Sequence, residues 1–241
     1  MKQNLTAILF SVAIVLASII LGYSYLNRTQ PVSTISVTGL GEKDFTSDLI
    51  VWEAEFEKSG PFLQEVYDAL AHDKKIIASY LKRKGIKNFV FTSVNTARQT
   101  KTIYSENGSY QGQEFVGYRL SQTVKIESKD VEKIERISRE ITELLNKGIT
   151  LYSSSPRYYY TKLADLKIEM ISKATENAFL RAKTIAEKSG AKLGKLKSAK
   201  MGIFQITGQN SEEDYSWGGT FNTSSKNKTA SITMKLIYEV E

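Results

Sequence analysis

The chain contains no cysteine and a single histidine, His72. Lack of cysteine excludes disulfides, thiolate nucleophiles and cysteine-ligated zinc or iron–sulfur sites. A single histidine excludes motifs that need two, such as the H-E-x-x-H helix of zinc proteases. The enzyme classes that depend on these groups are therefore ruled out. We expect a protein that is not an enzyme, with no catalytic residue, no metal site and no cofactor.

Excess charge is also small, because 33 Lys and Arg stand against 26 Asp and Glu, which gives a net charge of +7. The two signs are interspersed along the chain, a pattern typical of a solvated surface rather than of a nucleic-acid footprint. The chain has no zinc knuckle and no aromatic RNA-binding motif. We therefore expect no nucleic-acid partner.

Charge is absent from residues 5–26, which read LTAILFSVAIVLASIILGYSYL. As a helix this segment would extend roughly 33 Å, close to the hydrocarbon thickness of a bilayer. It is longer than the apolar region of a secretory signal, which is usually about 7–15 residues. We predict that residues 1–28 form an uncleaved signal anchor, with a cleaved signal peptide as the alternative. Either way the remainder, from about residue 30, is exported.

Two glycines, Gly39 and Gly41, follow a short run of alternating apolar residues. A dinucleotide-binding loop needs a third glycine and a helix directly afterwards. Here Asp44 takes the third position, and the next segment, 48–58, alternates as a strand does. The spacing predicts a turn between two strands, with the glycines supplying positive φ where the chain bends.

The periodicity of residues 30–241 predicts an α+β domain with mainly antiparallel sheets and packed helices. Residues 48–127 and 149–240 each read strand–helix–strand–strand, and a helix at 129–147 joins these two units of a topological repeat. The longest helix, 162–189, places small alanines on its apolar stripe, which lets a helix lie close to a sheet. The fold class is therefore α+β, preceded by one N-terminal transmembrane helix.

Three segments resemble one known family. They are ISVTGLGEKDFTSD (35–48), GYRLSQTVKIES (117–128, with Tyr118 and Ser121) and KATENAFLRAKTIAEKSGAKLGKL (173–196). The last has alanines every four residues and then a glycine stop, as carried by Ala174, Ala178, Ala182, Ala186, Gly190, Leu193 and Gly194. In order and spacing these segments are similar to the SIMPL-domain proteins of bacterial envelopes.

The resemblance implies an exported envelope protein of α+β fold. Some proteins of that family are linked to oxidative-stress tolerance. No agreed catalytic activity comes with the family, so it brings no catalytic residues to this chain. It also implies a location at the inner membrane with the domain in the periplasm, or release into the periplasm if the N-terminal segment is cleaved.

Two aromatic segments are candidate interaction sites. SSSPRYYY, 153–160, joins Arg157 to Tyr158 and Tyr160, and such residues often anchor interfaces; strand residues packed under a helix are the plainer interpretation. The polar loop 207–229 carries Tyr215 and Trp217. Ordering a long polar loop costs about 1–2 kcal/mol of backbone entropy per residue. We therefore expect the loop to need a partner, either a second copy in a homo-oligomer or another envelope protein.

The carboxylates offer weaker candidates. Residues 212–214 are three adjacent acidic residues, but they lack the alternating ligand spacing of a calcium loop. Glu53, Glu55 and Glu57 share one face of a strand. The alternation of polar and apolar residues in a half-exposed strand is enough to explain that pattern. A membrane-tethered hydrolase with an unrecognised site is the alternative. The function that the sequence favours is an exported, membrane-anchored, non-enzymatic envelope protein that acts by binding or self-assembly, and the resemblance implies a role in envelope stress tolerance.

Overall fold

A computed structural model describes residues 2–27 and 33–241. The N-terminal segment forms helix α1, Lys2–Asn27, and residues Ile8–Leu26 within it are long and apolar enough to cross a membrane. None of that span is buried against the rest of the chain. An apolar N-terminal helix suited to a membrane anchor or a signal sequence is thus confirmed. The domain boundary expected between residues 28 and 30 lies outside the described residues.

The predicted α+β class is confirmed by helices that alternate with antiparallel strands. The other helices are α2 (Leu63–Arg83), α3 (Val131–Glu140) and α4 (Leu163–Lys188), and a 3₁₀ segment covers Ile141–Lys147. The strands are β1 (Thr34–Thr46), β2 (Leu49–Gly60), β3 (Val90–Phe91), β4 (Asn95–Tyr104), β5 (Tyr110–Ser128), β6 (Thr150–Ser153), β7 (Arg157–Tyr159), β8 (Leu193–Met201), β9 (Gln205–Gly208) and β10 (Asn227–Val240).

These strands form two sheets. A four-stranded sheet has the order β1-β10-β8, with β9 also paired to β10. A six-stranded sheet has the order β3-β5-β2-β6, with β4 on β5 and β7 on β2. The sequence placed 149–160 in the second copy of the repeat, but β6 and β7 both pair with β2 in the six-stranded sheet. The six-stranded sheet therefore contains strands from both predicted copies of the repeat, so the two sheets do not correspond to the two copies.

The prediction of a turn at Gly39 and Gly41 is wrong, because β1 runs straight through both residues. Neither glycine has a positive φ. Val37, Gly39 and Gly41 alternate on the buried face of the strand. A Cβ added to Gly39 would meet the backbone of α4 at Ala174 O and Ala178 N. Gly39 is therefore required by the close approach of helix to strand, and not by a bend.

The chain divides into two compact units. The first comprises Met1–Leu40, Ala174–Gly202 and Thr233–Glu241. Its buried residues include the alanines that recur every four residues in the second half of α4, where the sequence predicted a helix lying close to a sheet. Opposite them β10 contributes the buried side chains of Met234, Leu236 and Tyr238.

The second unit comprises Gly41–Lys173 and Ile203–Ile232. Its core lies where α2, α3 and the 3₁₀ segment pack on the six-stranded sheet. Trp52 and Phe56 both lie on the inner face of β2, and both are fully buried. The Trp52 indole donates a hydrogen bond to Ser153 Oγ at 3.0 Å, so its one polar atom is satisfied. This core fixes β2 and β5 as the rigid base of the unit.

One part of the second unit extends beyond this base. Strand β5 pairs with β2 only as far as Tyr118, which lies opposite Gly60. From there residues 99–117 continue as a two-stranded ribbon of β4 and β5 alone among the described residues. We call this ribbon the arm. Gly117, at φ +149°, marks its base, because a Cβ there would lie against the backbone of Gly60 and 3.2 Å from Pro61 Cα.

Candidate interaction surfaces

The segment 153–160 is held by its own unit. Arg157 donates from Nη2 to Glu53 Oε1 at 3.0 Å, and Lys125 also approaches that oxygen, at 3.4 Å. Tyr158 is buried, and its hydroxyl donates to Glu135 Oε1 at 3.0 Å. Burial together with the Glu135 carboxylate raises the pKa of Tyr158 to about 12. The functional groups of Arg157 and Tyr158 thus serve contacts within the chain.

The same segment does not present an open strand edge. The Tyr158 backbone N–H donates to Thr223 O at 2.7 Å, and the Tyr159 carbonyl accepts from Asp48 N at 3.0 Å. The ring of Tyr160 lies 4.8 Å from that of Phe45, centroid to centroid. The plainer interpretation as packed strand residues therefore describes these contacts, and a role of the segment as an interaction site stays a prediction.

The loop expected to lack order of its own is instead held by hydrogen bonds. Gln205 donates from Nε2 to Ser216 O at 2.8 Å and accepts from Thr220 N at 2.6 Å. Glu213 accepts from the Gly208 backbone N–H at 2.8 Å and from the side-chain amide of Asn222. These bonds, the Gly208 N–H foremost, lower the pKa of Glu213. The carboxylate of Glu213, one of the three adjacent acidic residues at 212–214, thus fastens that loop.

The two aromatic residues proposed in this loop differ in their surroundings. Tyr215 is exposed, and its hydroxyl accepts a long hydrogen bond of 3.4 Å from Ser231 Oγ. Trp217 is 95% exposed, the most open of the large apolar side chains in the described residues. A nearly bare indole on an ordered loop fits the sequence-based expectation of a contact residue, and that role stays a prediction.

The arm carries a larger set of open aromatic residues. Tyr104 and Tyr110, 63% and 64% exposed, face each other across its tip with ring centroids 6.5 Å apart. Phe115 lies nearer the base, with the Arg98 guanidinium 5.0 Å from its ring centroid. Val116 beside it is also exposed. A two-stranded ribbon alone is marginal in water, so this apolar surface is the clearest unsatisfied feature of the second unit.

The arm is nearly neutral and has open edges. Lys101 lies directly opposite Glu114 in the strand register. By contrast, the outer edge of β1 is partly closed by α4, because Asn177 Oδ1 accepts from Leu40 N at 3.2 Å and Arg181 donates to Thr38 O at 3.0 Å. An edge with unpaired amides invites pairing with another strand. The arm thus combines apolar side chains, open edges and balanced charge.

In the sequence this hairpin is predicted only as the last two strands of the 48–127 unit. The signal that could have revealed it is the pair Phe115 and Val116, two apolar residues that stand next to each other where a strand usually alternates apolar with polar residues. The model of the SIMPL family, a protein of unknown function (DUF541), matches residues 35–235. The chain belongs to the SIMPL family. A search of curated proteins finds no match.

The resemblance stated for the three segments is thereby confirmed, and the family brings no described activity to the SIMPL domain. The described residues contain no group of three or more His, Asp or Glu side chains that could hold a metal ion. His72 is exposed. Glu53 and Glu57 take part in ion pairs with Arg157 and Arg119.

The most unusual titratable group of the SIMPL domain is Lys228, on the buried face of β10. Its side chain is 1% exposed, and the ammonium donates to Tyr158 O at 2.6 Å. Burial lowers the pKa of Lys228 to about 8, against the opposing influence of Glu213. A lysine of this kind is a recognised general base when a substrate can reach it. Here its enclosure leaves no access, so the hydrolase alternative gains no support from it.

Proposed function

We propose that this SIMPL protein is held in the cell membrane by α1, with its domain outside the cytoplasm, and acts by self-assembly and not by catalysis. The observation that carries the proposal is the helix itself: the span Ile8–Leu26 has no charged residue, is apolar overall and is unburied. An apolar helix of this length left in water would expose a large apolar surface and favour aggregation. A bilayer is the environment that removes it.

Two arginines in the middle of this span should release the protein from the membrane. At the centre of a spanning helix each arginine costs about 2.5–3.5 kcal/mol. We expect the unchanged full chain to resist alkaline carbonate extraction, and the Ile14→Arg, Val15→Arg variant to appear in the supernatant. Ile14→Leu, Val15→Leu is the matched control and should stay in the pellet. Protease added to intact spheroplasts should degrade the domain.

Two outcomes would contradict the anchor. One is extraction of the unchanged protein by carbonate. The other is a mature N-terminus between Gly22 and Gln30, which would mean cleavage and release. Protection of the domain from external protease would instead place it in the cytoplasm and overturn export.

The assembly part of the proposal is supported by the arm. Tyr104, Tyr110 and Phe115 present aromatic surface on a ribbon with open edges. A second copy is the partner that this chemistry favours, because the facing Lys101 and Glu114 leave the ribbon without a repelling net charge. Anchoring in a shared membrane also raises the local concentration of copies, which strengthens a weak contact. Envelope stress tolerance, to which some proteins of the family are linked, is the role that we propose for such an assembly.

Loss of the arm aromatics should weaken self-association. For Tyr104→Ser, Tyr110→Ser, Phe115→Ser, made together, we expect the dissociation constant of the dimer to rise at least about tenfold. Aromatic anchors at interfaces often contribute more than about 1 kcal/mol each. Sedimentation of the full chain in a mild detergent gives the constant, and circular dichroism verifies folding.

The matched control removes three exposed apolar side chains elsewhere, Tyr67→Ser, Leu145→Ser and Ile168→Ser. It should leave the constant within about twofold. A protein that stays monomeric at every concentration would contradict the assembly proposal. Equal weakening by the control set would show that the arm is not the contact.

A further inference from the structure

We infer that the lysine-rich edge of the first unit, around β8, docks on anionic phospholipid headgroups of the membrane in which α1 is anchored. The inference rests on the anchor proposed above and adds a second membrane contact, made by the domain. It is carried by the concentration of charge in one segment, by the exposure of that segment and by its nearness to the start of β1, which follows α1 after a short connection.

Almost all of the net charge of the protein resides in one short stretch. Residues 181–200 hold seven Lys or Arg residues and one Glu, a net charge of +6 out of +7 for the whole chain. The mixture of signs elsewhere hides this local excess. These twenty residues comprise the end of α4, the connection that follows it and nearly all of β8. The cations are Arg181, Lys183, Lys188, Lys192, Lys195, Lys197 and Lys200.

All seven cations are exposed. Lys183 pairs with Glu187 at 3.9 Å and Arg181 donates to a backbone carbonyl. Within residues 2–27 and 33–241, the five lysines from 188 to 200 have no carboxylate within ion-pair distance. Their charge is therefore not neutralised by the chain and is free to attract an anionic surface.

The register of β8 on β10 brings two lysines face to face, and an anionic surface would relieve the repulsion between them. Lys200 lies directly opposite Lys235, on the sheet face away from α4. Like charges facing each other across two strands destabilise a sheet. Glu239 and Glu241 stand at the end of β10, but the cations of this edge still outnumber the carboxylates. Phosphate groups above the sheet would offset the repulsion.

The start of β1 and the start of β8 lie at the same end of the first unit. Val240 N donates to Ser33 O at 2.9 Å, and Lys192 N donates to Glu241 O at 2.8 Å. The last residues of β10 thus stand between the two strands. Because β1 and β8 flank β10, their separation is about 10 Å at the usual strand spacing.

The chain between α1 and β1 is too short to let this edge move far from the bilayer. From Asn27 to Ser33 there are six peptide steps, which reach roughly 20 Å when fully extended. That length exceeds the 10 Å or so that separates β1 from β8, so β8 can reach the headgroups while α1 stays inserted. The same length prevents the edge from diffusing away, which keeps the lysines at high effective concentration near the lipid.

Energy transfer from lipid to protein tests this inference directly. Since the chain lacks cysteine, a dye on Ser198→Cys marks β8 uniquely. The full chain is placed in nanodiscs with rhodamine-labelled headgroups, made either of phosphatidylcholine or with about one-third phosphatidylglycerol. We expect clearly higher transfer in the phosphatidylglycerol discs, and its loss in concentrated salt, because screening shortens the reach of the lysine charges.

Charge reversal supplies the second arm of the test. For Lys195→Glu, Lys197→Glu, Lys200→Glu we expect the ratio of docked to undocked protein to fall by more than about 100-fold, since each lysine contributes roughly fivefold. The matched control Lys82→Glu, Lys129→Glu, Lys162→Glu changes the net charge equally, in the second unit and outside the arm, and should leave transfer unchanged.

The outcomes separate the two proposals. Failure of the full chain to enter nanodiscs overturns the anchor. Entry with equal transfer in both lipids, or equal loss for both charge-reversal sets, overturns the lipid contact alone. If the labelled edge ignores phosphatidylglycerol but binds an acidic polymer in solution, the lysines serve a polyanion and the lipid assignment is wrong. The salt titration uses the unchanged lysines and does not depend on any charge-reversal variant folding.

Discussion

Replacing Gly39 by alanine is expected to lower the free energy of unfolding by about 3 kcal/mol, at the upper end of what overpacking usually costs. The added Cβ would stand 2.7 Å from Ala178 Cβ and closer still to Ala174 O and Ala178 N. Two of these three atoms are backbone of α4. Relief therefore requires the helix to move off the strand, which opens the alanine-lined contact along its length. Thermal unfolding of the full chain in detergent, followed by circular dichroism, measures the loss.

A double variant makes this prediction sharper. Gly39→Ala with Ala178→Gly removes the facing methyl group but leaves both backbone atoms, so we expect little recovery. Gly218→Ala is the matched control, since the nearest atom to its added Cβ is Ser216 Oγ at 3.9 Å. That substitution should change stability by less than about 0.5 kcal/mol. A neutral Gly39→Ala, or full rescue by the glycine at 178, would refute the close packing of β1 on α4.

Replacing Lys228 by methionine is expected to stabilise the protein at pH 7. The pKa of this lysine falls to about 8 in the folded state, against about 10.4 in an unfolded chain. Holding the charge inside the protein thus costs on the order of 3 kcal/mol at neutral pH. Methionine also leaves Tyr158 O without its donor, which costs about 1 kcal/mol or more. The net gain should be about 1–2 kcal/mol.

The pH dependence of the gain identifies its cause. Because the folded pKa lies below the unfolded one, the unfolded state binds more protons between pH 8 and about 10, and stability rises with pH in that window. The parent should therefore approach the methionine variant as pH rises from 7 to 9.5. The raised pKa values of Tyr80 and Tyr158, each about 12, act in the opposite sense only above about pH 10. Measurements should stop below that pH.

Urea titrations at pH 7 and pH 9.5 give both free energies. Lys162→Met, at an exposed lysine, is the matched control and should show no change with pH relative to the parent. A gain from Lys228→Met that is as large at pH 9.5 as at pH 7 would mean that the buried charge is not its source.

The fold was largely predictable because its elements carry strong periodic signals. Alanines at every fourth position predict a helix that lies close to a sheet. The alternation of polar and apolar residues along β2 predicts a strand. Gly39 misled because a glycine pair beside polar residues is typical of a turn. The residue must be glycine because the backbone of α4, more than a hundred residues away in sequence, packs directly against it. No local sequence pattern indicates this contact.

The candidate surfaces were less predictable. Tyr158 and Glu213 look like surface groups in sequence, but their partners, Glu135 and the Gly208 N–H, become neighbours only when the fold closes. Lys228 did leave a signal, since it occupies the same face of β10 as Ala230 and Ile232, which are buried. The arm escaped notice because sequence does not reveal where a neighbouring strand stops.

The pairing of the first strand with the last one has a consequence for how the protein folds. Ser33 and Val240 are hydrogen-bonded although nearly the whole chain lies between them. Closing a loop of about two hundred residues costs on the order of 5 kcal/mol of chain entropy. The β1–β10 ladder cannot begin until synthesis reaches β10, whereas β2, α2 and β5 lie close together in sequence. A chain in transit thus carries an unpaired β1 beside its anchor until the final strand arrives, and this interval is when it is most exposed to aggregation.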